Sequence, residues 1–107
     1  METTQSIWPG LVELLRDTHA EYGDRDDAAM ELGAFDNPEV EEALAAVAAD
    51  PQSDSELADP CGESLAQIWI RKGTVNPGIW ERLQPAARDV AEALLKSQRP
   101  DLLAQLK

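Results

Sequence analysis

An all-α fold, assembled as a stack of helix pairs, is what the 107-residue sequence predicts, and three observations point to it. No window sustains the two-residue alternation of a half-buried strand. The segments "DNPE", "ADPCGE" and "VNPGI" each place Asn or Asp before a proline that opens an apolar-periodic run. That is the grammar of a helix start: the short polar side chain accepts from free backbone N–H groups, and proline at the first helical position lacks an N–H that would go unpaired. The third observation is an internal echo. "DNPEVEEALAAVAAD", residues 36–50, returns as "VNPGIWERLQPAARD", residues 75–89, with Asn37 on Asn76, Pro38 on Pro77, Val40 on Ile79, Glu42 on Glu81, Leu44 on Leu83, Ala48 on Ala87 and Asp50 on Asp89. A single pair of short helices cannot bury its own apolar stripe, and the next pair supplies the missing wall, so repetition at about 40 residues in a helical chain marks an α-solenoid.

The elements follow in order. A first helix is expected from about Trp8 to Glu21, burying Leu11, Leu14, Leu15 and Thr18. A second runs from about Asp26 to Leu32 and stops at Gly33. The third covers Pro38 to Ala49 with Val40, Ala43, Leu44 and Val47 inward, and Asp36 with Glu39 can close a capping box at its start. The fourth covers Pro60 to Lys72, with a start as early as Ser55 left open; it buries Cys61, Leu65, Ile68 and Trp69 and ends at Gly73. The fifth opens at Pro77 with Ile79, Trp80 and Leu83 inward. Pro85 cannot donate to Glu81, so a break or strong kink is expected near Gln84. A further helix carries Ala86, Ala87, Val90, Ala91, Leu94 and Leu95, and residues 101–107 add a last amphipathic turn or two. The whole reads as one domain: 1–23 an N-terminal cap, 24–50 a first repeat, 51–97 a second, 98–107 a C-terminal cap.

At this point the residues resemble a known family. "AAMELGAFDNPEVEEALAAVAADP", residues 28–51, is similar to a HEAT-type repeat of the short bacterial variety: small residues and Leu-Gly close one helix, an Asn-Pro turn follows, then an apolar-periodic helix and Asp-Pro. Ala28, Ala29, Leu32, Gly33, Asn37, Pro38, Val40, Leu44 and Asp50 occupy those places. The resemblance implies a short α-solenoid of about two HEAT-like helix pairs with flanking capping helices, covering roughly residues 24–97. It says little about activity, since such solenoids mostly bind other proteins. Small acidic HEAT-like proteins of bacteria also resemble immunity proteins, including those of contact-dependent growth inhibition, which bind and block a toxin domain, commonly a basic nuclease. That likeness rests on size, charge and fold type.

Charge is the loudest compositional signal. Residues 1–60 hold 16 acids against 2 bases, whereas residues 61–107 hold 5 acids against 7 bases, giving the net −12. A one-sided acidic field repels nucleic acid and anionic lipid and selects a basic partner. The sequence therefore predicts a basic protein partner such as a cognate toxin domain, no nucleic acid, no membrane, and a monomer or weak homodimer when free. No basic leader or apolar h-region opens the chain, and the longest apolar run, residues 43–49, is far short of the ~20 needed to span a bilayer, so a cytoplasmic location is expected. A lone cysteine, Cys61, makes no internal disulfide and reads as a small buried residue.

Catalytic chemistry finds no constellation. His19 is the one histidine, and its neighbours Asp17 and Glu21 stand two residues away, on different sides of a helix. No nucleophile elbow, phosphate loop or metalloprotease helix occurs. "DRDDAAMELG" begins like a calcium loop, but Ala28 and Ala29 take the third-ligand and turn-glycine positions. No enzyme, cofactor or dedicated metal site is expected. The binding residues are instead sought among the acids. Asp24, Asp26 and Asp27 crowd the second helix start, Glu39 and Glu42 share an outward stripe of the third with Ala46 and Ala49 while Glu41 flanks it, and Asp54, Glu56 and Asp59 extend the negative region. Outward alanines between acids leave room for a partner's lysine or arginine stems. Trp69 and Trp80 read as core, and Trp8 as a staple of the first helix or an interface anchor. The alternative function is a HEAT-like scaffold or adaptor, or a helper subunit resembling the phycobilin-lyase relatives of this repeat.

Overall fold

Seven helices and no strand make up the described residues of the computed structural model, which are 7–52 and 55–106: α1 (Trp8–Arg16), α2 (Tyr22–Leu32), α3 (Pro38–Ala49), α4 (Ser55–Lys72), α5 (Pro77–Arg82), α6 (Pro85–Gln98) and α7 (Pro100–Ala104). The chain is all-α. Helix α4 is the centre. It packs against α2 on one side, α6 on another and α3 behind, and Leu57, Ala58, Cys61, Leu65, Ala66, Ile68 and Trp69 are all buried. A helix apolar around most of its circumference can only sit inside.

Hydrogen bonds give the directions. The Ser64 hydroxyl donates to the Ala29 carbonyl at 2.6 Å, and the Tyr22 hydroxyl donates to the Glu56 carbonyl at 2.8 Å. Both pairs are separated by about the same number of residues, so α2 and α4 run parallel. Gly62 abuts Ala87 near one end of the α4–α6 contact, and the Arg99 guanidinium reaches the Ile70 carbonyl at the other, so α6 is parallel to α4 as well. Between α3 and α4 the order reverses: Glu41 meets Trp69, and Val47 lines a recess with Leu57. Helices α2, α4 and α6 thus lie side by side, α3 and α5 connect them in turn, and α1 and α7 flank them. The molecule measures 38 × 36 × 21 Å. Its shortest dimension is about two helix diameters, that is, two layers.

The two copies of the echo meet in one interior. Val40, Leu44 and Ala48 of α3 and Ile79, Leu83 and Ala87 of the later copy all belong to the same buried cluster, each large side chain contributing about 1.5–3 kcal/mol of apolar burial. Asn37 and Asn76 both stand at the N-cap, but only the Asn76 side chain accepts a backbone N–H, from Ile79 at 3.1 Å. Pro85 separates α5 from α6, and the backbone released there is reused. Gln84 donates its main-chain N–H to the Ala48 carbonyl at 2.9 Å and its side-chain amide to the Ala49 carbonyl at 3.0 Å. Both carbonyls lie in the last turn of α3, where no intrahelical partner remains.

Several boundaries differ from the sequence reading, each for a local reason. Helix α1 ends at Arg16, not Glu21, because the Asp17 carboxylate accepts from the His19 N–H at 2.9 Å and turns the chain; Thr18 is consequently exposed rather than buried. Helix α2 starts four residues early, at Tyr22. Helix α4 starts at Ser55 and places Pro60 inside it. The missing Pro60 N–H leaves the Glu56 carbonyl without its helical donor, and the Tyr22 hydroxyl fills that role from α2. The capping box does not form, since Asp36 pairs with Arg71 instead. Trp80 is half-buried, with the Arg88 guanidinium 5.5 Å from its ring centroid.

Gly62 fixes the α4–α6 spacing. A Cβ there would lie 2.8 Å from the Ala87 Cα and closer still to its carbonyl oxygen, in backbone that cannot move aside. Gly62→Ala is expected to destabilise the fold by about 1–3 kcal/mol in urea unfolding. Gly10→Ala, whose Cβ meets nothing within 4 Å, should instead stabilise by roughly 0.5 kcal/mol.

Candidate protein-docking surface

Most cations among the described residues are paired with neighbours, although Arg16, Arg71, Lys72, Arg82 and Lys96 are exposed. Arg71 pairs with Asp36, and Arg99 with Asp101 at 2.8 Å. Arg25 donates to the Leu15 carbonyl at 2.9 Å, binding the α1 end to α2. Arg88 donates to the Trp80 and Glu81 carbonyls at 2.8 and 3.0 Å, closing the end of α5. The acids, by contrast, fill the outward stripes.

Beyond Tyr22 and Gly23, the exposed residues of α2 are Asp24, Asp27, Met30 and Glu31, spaced by helical turns, and Ala34 is exposed just past its end. On α4 the outward line is Glu56, Asp59, Glu63, Gln67 and Arg71, with Glu63 half-exposed. Because the two helices are parallel and touch, these stripes are neighbours. Tyr22 and Glu56 join them at one end. At the other, Met30, Glu31, Gln67 and Arg71 line a shared recess of about 590 Å³ with Ile7 and Phe35. Asp26 sits half-buried at the seam, close enough to act electrostatically on the Cys61 thiol. Five of the sequence-predicted partner residues, Asp24, Asp26, Asp27, Glu56 and Asp59, therefore gather on α2 and α4, and the structure adds Glu31 and Glu63 to them.

Glu39 and Glu42 lie elsewhere, on α3 in the returning layer. They line a recess of about 330 Å³ with Val12, Arg16 and Pro38. Ala46 and Asp50 continue that stripe into a second recess of about 400 Å³ that shares Arg16. The acids predicted from sequence thus form two surfaces rather than one. Trp8 is half-buried and packs on the core. Asp54 lies outside the described residues.

Sequence reasoning missed Glu41. Grouped with the outward acids of α3, it is in fact 8% exposed. One carboxylate oxygen accepts the Trp69 indole N–H at 2.7 Å and the other lies 3.5 Å from the Lys72 ammonium. The signal was present in the chain. Glu41 is in phase with Ala45 and Ala48 on the inward side of α3, a buried Trp needs an acceptor, and Lys72 follows Trp69 by one turn. Among the described residues no group of three or more His, Cys, Asp or Glu side chains is arranged to hold a metal ion, His19 is exposed, and no helix is long and apolar enough to cross a membrane.

Comparison with known proteins gives one informative likeness. The chain is 35% identical over 110 residues to human deoxyhypusine hydroxylase, covering 94% of this chain and 35% of the relative, so it spans about a third of that protein's length. No family model matches. No solved structure matches either.

Removing the Glu41 carboxylate leaves the Trp69 N–H buried without an acceptor. Glu41→Ala is expected to cost about 1–3 kcal/mol in denaturant unfolding, and Glu41→Gln, which keeps an acceptor oxygen, distinctly less. Burial pushes the Cys61 thiol up from 9.0 to about 12. The native thiol keeps its proton where the unfolded one has lost it. Its contribution to stability is therefore full below pH 9 and declines between about pH 9 and 12; Cys61→Ala should flatten that part of the stability–pH curve, and native protein should react with a thiol reagent only as it unfolds.

Proposed function

We propose that the chain is a short HEAT-type α-solenoid that works as a non-enzymatic binding module for a basic protein, and specifically as an immunity protein that neutralises a basic toxin domain such as a nuclease. The observation that carries this reading is the division of charge. Among the described residues, Arg71, Lys72, Arg82, Arg88 and Arg99 of the second half pair with Asp36, Glu41, Asp101 or main-chain carbonyls and Lys96 is exposed, while Asp24, Asp27, Glu31 and Asp59 face outward on adjacent parallel helices. Solubility alone does not require so lopsided a face. The alternation of parallel α2, α4 and α6 with returning helices supports the solenoid reading, as does the likeness to deoxyhypusine hydroxylase, a HEAT-repeat enzyme.

A partner approaching this surface meets carboxylates fixed to rigid helices, with the exposed Met30 and Gln67 beside them. Charges so placed speed encounter more than they deepen affinity, by ~10–10³ in on-rate. Glu39 and Glu42, on the returning layer, form a second negative surface that contributes to the long-range field.

A second reading is a HEAT-type scaffold or helper subunit of an enzyme assembly. The similarity to a hydroxylase favours it. The two part on one outcome, since an immunity protein inhibits its partner and a helper does not.

Stopped-flow association with a candidate basic toxin nuclease, followed from about 50 to about 500 mM salt, tests the proposal. The on-rate should fall by ~10-fold or more, the triple variant Asp27→Lys, Asp59→Lys, Glu63→Lys should lower it similarly at low salt, and nuclease activity should be blocked at one-to-one stoichiometry. A salt-independent on-rate removes the electrostatic account, and binding without inhibition favours the helper.

A further inference from the structure

The α2–α4 recess is chemically unlike the rest of the acidic face. Ile7 and Met30 are 51% and 45% exposed, two of the large apolar side chains left open to water among the described residues, and both line this recess with Ala34 and Phe35. Its charged lining is unequal. The Arg71 guanidinium is occupied by Asp36, and Glu31 has no basic partner among the described residues. Along α2 the same outward stripe continues from Glu31 to Asp27 and Asp24. One end of the stripe is thus an apolar cleft of about 590 Å³, and the other is a row of carboxylates one helical turn apart.

We propose that this cleft is the docking site for an amphipathic, cationic segment of the partner protein, which buries large apolar side chains against Ile7, Met30 and Phe35 and lays its lysines or arginines along Glu31, Asp27 and Asp24. Charge complementarity selects this occupant. A second copy of this chain would bring another acidic face onto the first, and an acidic or neutral peptide would leave Glu31 uncompensated. Met30 suits the role, because an unbranched thioether side chain adapts to varied apolar shapes. The inference rests on the reading of the partner as basic, and it adds the apolar anchor that would slow dissociation where the carboxylates hasten encounter.

The sequence has two methionines, so methyl-labelled protein gives two resolvable methyl signals, Met30 being assigned with Met30→Leu. The probe is a synthetic helical peptide of leucine and lysine with one apolar and one cationic face, tested beside its leucine–glutamate counterpart. Saturable displacement of the Met30 signal by the lysine peptide is expected, with affinity at least ~10-fold lower for the glutamate peptide and for the Met30→Glu and Glu31→Lys variants, and unchanged for Asp89→Lys, an exposed charge reversal on α6. Binding that leaves the Met30 signal in place, or equal affinity for the two peptides, overturns the proposal. So does a Met30 signal that moves with protein concentration alone as sedimentation shows a dimer, which makes a second copy the occupant. Binding gained only on deletion of residues 1–6 also overturns it, by making this chain's own N-terminus the occupant. If the toxin's on-rate collapses in the Asp27/Asp59/Glu63 triple variant while Met30→Glu changes neither its on-rate nor its off-rate, the cleft fails and the electrostatic reading stands.

Discussion

The close approach of α4 and α6 at Gly62 and Ala87 governs the rest of the fold. With no side chain between the two backbones, Ala58 and Ala66 on α4 and Ala91 on α6 are also buried at this level of the molecule. Small residues let the two helices sit near the lower end of the usual interaxial range. That placement leaves other sides of α4 to bury Trp69 against α3 and Cys61 and Ser64 against α2, with Leu65 and Ile68 in the same core. A helix so fully surrounded can show water only a narrow line, and that line is where Glu56, Asp59 and Glu63 appear. The negative face is in this sense a by-product of packing: α4 has only one side on which charges can be placed, and nearly all of its early charges are acidic.

Polar groups inside this arrangement are few, and those around α4 are satisfied in pairs, whereas Arg88 Nε on α6 is buried without a hydrogen-bond partner among the described residues. Ser64 returns its hydroxyl to α2, Glu41 takes the indole N–H of Trp69, and the carbonyl released by Pro60 finds Tyr22. Each of these bonds joins two helices, and each ties α4 to α2 or α3. They specify which neighbours α4 has, while apolar burial supplies most of the stabilisation.

Much of the architecture could be read from the chain, and the failures have physical causes. The proline punctuation located α3 and α5, because Pro38 and Pro77 each open a helix, and Pro85, expected as a break or strong kink near Gln84, separates α5 from α6. Pro60 obeys the same local rule yet lies inside α4, since a carbonyl that loses its helical donor can be satisfied from a neighbouring helix that the sequence does not show. Thr18 and the α1 end were misread for a similar reason: the Asp17 turn is a local hydrogen bond that competes with an otherwise plausible helical period. For the surface, the outward phase of Asp24, Asp27, Glu39 and Glu42 follows from periodicity, and all four are exposed. Their separation into two layers is tertiary information and is absent from any single-helix pattern. Glu41 shows the limit most clearly, because its charge suggested water while its phase, matched to Ala45 and Ala48, placed it inside.

The joint at Gln84 has a consequence for how this chain can vary. The residue between α5 and α6 is also fastened by two bonds to the last carbonyls of α3, so the joint has little play. An insertion after Leu83 would shift the amide off its acceptors and slide α6 along α4, driving Ala87 out of register with the gap at Gly62. Length changes are better tolerated in the turn from Asp17 to Glu21, where Thr18, His19 and Glu21 are exposed and the backbone hydrogen bonds reach only α1, α2 and the turn itself. Natural relatives that differ in size are expected to have grown or shrunk there, leaving the proline joint at constant length.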